Sequence, residues 1–298
     1  MNRALSLIVL VVLTPDGHAQ TESYRIKIKD VAQGLKRQNE VIEQTKTLHK
    51  VIGPKNQVLV NRSHSISTHA LYHEVILKHT AGKQKPEQLQ RYYYKATSGI
   101  NGKQEVLPYQ KKYVLIARSN KGPFVFQIEK QGQLTGAAAH LLHKEFNAHK
   151  AFDLQRMVLP DKQVRVNETW RLDIKDIASN WEKGTKMSVD LRRSTGVGKL
   201  VKVYTKEKHL FGVLQFHIEM PLLTLGEGKA RAQMKTGSKM VMDVTLDACI
   251  DGHLSTGTLQ GSFKVSASAT VPSKKGGQAR MQLDVEGSIQ KSRKELVK

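Results

Sequence analysis

The sequence predicts a mainly β protein with one principal helix, an α+β fold. A large curved antiparallel sheet, or two related sheets from the two halves, is expected to pack on a mid-chain helix. Two observations carry this. Apolar and polar residues alternate with period two along most of the chain, most regularly where Met240, Met242, Val244, Leu246, Ala248 and Ile250 oppose Val241, Asp243, Thr245, Asp247, Cys249 and Asp251. Only Thr135 to His149 has convincing helical spacing, with Ala137, Ala138, Leu141, Leu142 and Phe146 forming an apolar stripe behind a threonine cap.

In chain order, the first element reads as a leader. Met1-Asn-Arg3 precedes the apolar run Ala4 to Leu13, then Pro15, with small residues at Gly17 and Ala19. This is the pattern of a secretory signal peptide cleaved after Ala19, and its apolar run is far shorter than the ~20 residues of a spanning helix. The mature chain is therefore expected to be exported, periplasmic or extracellular, without a transmembrane segment.

A β-rich half over residues 20–134 follows. Tyr24, Ile26 and Ile28 alternate with Arg25, Lys27 and Lys29, and the runs 41–52, 58–77, 91–97, 113–118 and 124–128 carry β-branched and aromatic residues. Gly99-Ile-Asn101-Gly102 and Asn120-Lys-Gly122-Pro123 are turn chemistry. Residues 135–160 hold the helix and a connection, and a shorter helical turn is expected at Asp176 to Trp181.

The C-terminal half, 161–298, ends in a meander. Strand 240–250 turns at Asp251-Gly252, a second strand carries Leu259, Phe263, Val265, Ala267 and Val271 inward, and a third carries Met281, Leu283, Val285 and Ile289. Strands apolar on one face must be covered, and the mid-chain helix is the expected cover. Leu141, Leu142 and Phe146 of the helix should then face Phe263, Val265, Leu283 and Val285, across either a ligand pocket or an ordinary core.

Lys and Arg number 48 against 26 Asp and Glu, a net charge of +22 that leader removal leaves unchanged. The excess runs through both halves, which favours association with polyanions without saying anything about fold. Export makes nucleic acid an unexpected partner. Anionic lipid head groups and acidic envelope polymers are the partners such a charge fits. The single Cys249 allows no internal disulfide, so a core must supply the stability.

Residues that bear chemistry do not assemble into a known motif. His64, His69, His73 and His79 lie on a strand-like run, where four residues separate two rings by roughly 13 Å. His140, His143 and His149 lie on the helix without a zincin signature. Neither a nucleophile elbow nor a phosphate loop is present, and flanking carboxylates would raise the Cys249 thiol. Asp243, Asp247 and Asp251 share one strand face and read as its solvated side. Asn61-Arg-Ser63 and Asn167-Glu-Thr169 fit the glycosylation sequon. No catalytic, cofactor-binding or metal-binding residue is assigned, and the chain is expected to be non-enzymatic.

One segment has a familiar look: Leu159-Pro160-Asp-Lys162-Gln-Val164-Arg-Val166-Asn-Glu-Thr-Trp170. With Leu107-Pro108-Tyr109 and Gly198 to Tyr204, it resembles a group of uncharacterised exported bacterial proteins that read Leu-Pro-x-Lys-x-Val-x-Val-Gly-x-x-Trp here, with Asn167 in place of the usual glycine. The resemblance implies a β-rich fold and no activity. Physically, Val164 and Val166 should enter a strand that Trp170 anchors in the core. The expected function is binding of an apolar or amphipathic ligand such as a lipid in the cell envelope. The alternative is a basic structural protein held by charge on anionic envelope polymers.

Overall fold

The computed structural model describes residues 22–83, 85–118, 122–147, 157–226, 231–272 and 277–296. The leader, its cleavage site and His149 lie outside the described residues. The chain runs β1 (Ser23–Tyr24), β2 (Lys36–Ile52), β3 (Val58–Lys78), β4 (Gln88–Ile100), β5 (Lys103–Val106), β6 (Tyr113–Arg118), β7 (Phe124–Ile128), β8 (Gly132–Gln133) and α1 (Gly136–Asn147). It continues through β9 (Val164–Arg165), β10 (Thr169–Arg171), α2 (Ile174–Thr185), β11 (Met187–Val189), β12 (Thr195–Lys206), β13 (His209–Leu225), β14 (Ala232–Gln233), β15 (Lys239–Cys249), β16 (Gly257–Pro272) and β17 (Gln278–Glu295).

The protein is mainly β, as predicted. One antiparallel sheet runs in the order β10-β12-β13-β15-β16-β17-β2-β3-β4-β6-β7-β8, so the two halves of the chain share it. Their seam is the long ladder of β17 on β2, from Arg280 opposite Ile52 to Glu295 opposite Arg37. Cross-strand partners share a face, so the registers sort every strand residue onto one of two sides.

One side carries both hydrophobic cores. At the C-terminal end Leu214, Phe216, Ile218, Met220, Met240 and Val265 pack with Trp170, Ile177 and Ala178. At the other end Tyr72, Ile76, Leu89, Tyr93, Ile116 and Phe126 pack with Ala138, Leu142 and Phe146 of α1. The opposite side is open and polar, with Ser262, Lys264, Glu286 and Lys46 among its exposed residues. The predicted alternation is thus real, and it sets which side is covered.

The predicted cover is corrected by the structure. Helix α1 belongs to the second core, whereas Phe263, Val265, Leu283 and Val285 belong to or line the first. Six strand spacings separate β16 from β7, roughly 29 Å at about 4.8 Å each. The reason is local. Helix α1 follows β7 and β8 directly, Leu134 N–H bonds to Phe126 O, and the helix folds back onto the strands it has just left. The C-terminal strands are covered instead by the 157–189 segment and α2. That helix is longer than the turn expected at 176–181: Asp173 caps it by accepting from Asp176 N–H, and Lys186 ends it in the left-handed conformation.

Candidate functional site

The motif of residues 159–170 divides into an inward and an outward half. Val164 is fully buried in β9, paired with Tyr24, and the Trp170 indole lies across β12 with its Nε1–H donating to Val158 O at 2.7 Å. Trp170 is opposite Gly198, and a side chain on Gly198 would run into the indole ring, so the glycine seats the tryptophan. The Phe216 and Trp170 rings meet in a T-shaped arrangement with centroids 6.1 Å apart. This is the core anchor expected of Trp170.

Outward, Lys162, Arg165, Gln163 and Asn167 join Ser23 and Glu168 around an open depression of about 870 Å³. Lys162 Nζ lies 3.2 Å from Glu168 Oε1, and Ser23 hydroxyl donates to Gln163 Oε1. Asn167 takes a positive φ of 70°, a conformation that asparagine tolerates better than most residues, and its N–H donates to Leu200 O at 2.6 Å. Exposed Arg25, Lys27 and Arg171 stand on the adjoining segments. A smaller open depression of about 280 Å³ is lined by Glu182, Lys186, Ser188, Thr224 and Arg231. Both depressions carry basic side chains.

Between the two cores the covered side of the sheet is only partly covered. One cross-strand row reads Ile100, Ile66, Thr45, Gly287, Phe263, Met242. Ile100 and Ile66 are 55% and 41% exposed, whereas Phe263 lies across Gly287 into the first core.

The second core holds a feature the sequence reading missed, a ladder of alternating charge along the row Glu295, Arg37, Glu74, Arg91. Glu74 is buried and accepts from Arg37 Nε at 2.7 Å and Arg91 Nε at 2.8 Å. Arg91 then grips Glu145 of α1 with both terminal nitrogens, at 3.0 and 2.7 Å, between the Tyr72 and Phe146 rings. Burial alone would raise the Glu74 carboxyl, but Arg91 and Arg37 outweigh it and hold its pKa at about 2. Burial pushes the Tyr93 hydroxyl up to about 12. The signal was present: Glu74 stands between the inward residues Tyr72 and Ile76, a charge on an apolar parity. A carboxylate locked between guanidiniums is an acceptor and no base, so the ladder fastens α1 to the sheet.

The histidines of the 64–79 and 140–143 clusters form no ligand group of three among the described residues. His69 bonds Glu40 and His73 bonds Tyr94, on the open side, while His64 faces the other way in register with Thr47. On α1, His143 bonds Asn147. Of the residues expected to face one another, Leu142 and Phe146 are buried against β7, Leu141 is half-buried on the same helix, and none meets Phe263, Val265, Leu283 or Val285.

Neither family models nor sequences of characterised proteins match this chain. Among solved structures, an outer membrane channel from Pseudomonas putida F1 aligns with 88% of this chain and 97% of its own at 10% identity, with a TM-score of 0.18, too low to carry an argument about fold or function.

Proposed function

We propose that this chain is an exported, non-enzymatic β-sheet protein held by charge on anionic polymers or head groups of the cell envelope. The basic depression beside the 159–170 motif carries this reading, since Lys162 and Arg165 rim it and Arg25 and Arg171 flank it in a chain of net charge +22. The leader-like first nineteen residues and the likeness of the motif to exported β-rich proteins support an extracytoplasmic location.

Sedimentation with vesicles tests it. Binding to anionic vesicles, absent on zwitterionic ones, should fall away by roughly 0.5 M salt as the Debye length shrinks to a few ångströms. Replacing Arg25, Lys162 and Arg165 together by Ala should weaken binding on the order of 100-fold, at about 1 kcal/mol per charge. The same number of changes at Lys46, Lys50 and Lys294 should cost much less. Binding indifferent to salt overturns the proposal.

A second reading, binding of an amphipathic ligand such as a lipid, is favoured by one observation: Ile66 and Ile100 lie exposed on the otherwise covered side. It no longer rests on a pocket between α1 and the C-terminal strands. Lipid retained by the purified protein in native mass spectrometry, and lost in Ile66→Ser, would put this reading first.

A further inference from the structure

We propose that His209, Cys249 and Asp251 form a binding site for a divalent transition metal ion of the zinc type. His209 opens β13, Cys249 closes β15, and Asp251 starts the turn that follows, so sheet pairing brings together residues some forty positions apart. Their donor atoms all lie within 4.8 Å of one another. The Cys249 thiol donates to Asp251 Oδ1 at 2.9 Å, and His209 Nδ1 lies 3.4 Å from Asp251 Oδ2. That nitrogen is buried and makes no hydrogen bond among the described residues. The edges of a tetrahedral zinc site measure roughly 3.3–3.8 Å, given bonds of about 2.0–2.3 Å to N, O and S. The donors therefore need shifts of an ångström or less to surround an ion.

The surroundings suit a cation. Leu210 N–H donates to Asp251 Oδ2 and His253 N–H to Oδ1, both at 2.9 Å, which fixes the carboxylate as outer partners of a metal ligand do. Gly252 takes a φ of +81° and makes the turn that places His253, whose ring centroid lies 5.8 Å from that of His209. His253 offers a further imidazole for a fourth position. On binding, the thiol proton leaves to solvent and the S–H···O bond is replaced by metal–sulfur and metal–oxygen bonds. One dication, a thiolate and a carboxylate then sum to zero charge, which suits a site whose cysteine is fully buried.

A nucleophilic role does not fit the same geometry. The thiol donates to the Asp251 carboxylate and not to the His209 imidazole, so it lacks the thiol–histidine pairing of a nucleophilic cysteine.

Cobalt(II) is the probe, titrated into the untagged full chain. One equivalent should bind with a near-ultraviolet thiolate-to-metal charge-transfer band, and zinc should displace it. Cys249→Ser should abolish the band, and both it and His209→Gln should weaken binding by at least about tenfold. Far-UV circular dichroism checks that each variant is folded. Should Cys249→Ser fail to fold, His209→Gln, at a half-exposed strand start, decides alone. A wild-type protein that shows no thiolate band, or a folded His209→Gln that binds as tightly as wild type, overturns the assignment.

Discussion

The two ends of the sheet are covered on the same side by opposite means. At the C-terminal end an indole sits on a glycine and α2 contributes Ile177 and Ala178 to one core with Phe216, Met240 and Val265, so shape and apolar area hold the cover. At the other end α1 is fastened through Arg91, which links Glu74 in the sheet to Glu145 on the helix, with Lys85 Nζ bonding the terminal carbonyl of Phe146 at 2.6 Å. A dense apolar core accepts any packing order that fills space. A charge ladder accepts one register only, because a one-residue slip would turn Glu74 to the open side, leaving the buried Arg37 without its carboxylate and Arg91 with Glu145 alone.

The largest effects should separate these two means. Glu74→Ala strands the buried Arg37 guanidinium, leaves Arg91 with Glu145 alone and should cost about 3–5 kcal/mol, and Trp170→Ala empties an indole-sized site for a similar cost of about 3–5 kcal/mol. Denaturant midpoints measure both. Hydrogen exchange should then place the loss in β3, β4 and α1 for the first and in β10, β12 and α2 for the second. A uniform loss in both variants would mean the two ends unfold as one.

Acid should act on the ladder next. The Glu74 carboxyl is depressed from 4.5 to about 2. Its contribution, on the order of 3 kcal/mol, is full above pH 4.5, where it is ionised folded and unfolded alike. Below 4.5 the unfolded chain takes up a proton that the folded chain refuses, so the contribution shrinks and is gone near pH 2. The stability gap between wild type and Glu74→Gln should therefore narrow as pH falls from 5 to 2. A gap constant over that range would refute the charge account.

Smaller still is the effect of Gly198→Ala. The added methyl meets the Trp170 ring, which its hydrogen bond to Val158 holds in place, and overpacking of this kind costs about 1–3 kcal/mol. Gly287→Ala, beneath the half-buried Phe263, should cost less because that ring has room to turn. Thermal melts of the pair rank the two seats, and equal losses would mean that Phe263 is held as firmly as Trp170.

Much of this architecture is written in local pattern. Period-two alternation marked β15, β16 and β17, the Thr135 helix begins within one residue of its expected start, and Trp170 is buried as an anchor, though on β10, with Val166 in the turn after β9 and not in the strand expected of it. These features follow from the pleat and the helical turn, which act over a few residues. The basic side chains Lys162 and Arg165 were legible as charge, though not as the rim of one depression.

What pairs with what was decided only in three dimensions. Alternation shows that a face is buried and is silent on which element buries it, and so the cover of the C-terminal strands was assigned to the wrong helix. Glu74 and Arg91, or His209 and Cys249, are unremarkable within their own strands, and register alone turns them into a ladder and a ligand set. The physical reason is that side-chain periodicity is a property of one strand, whereas strand order and register come from the summed burial and hydrogen bonding of all of them.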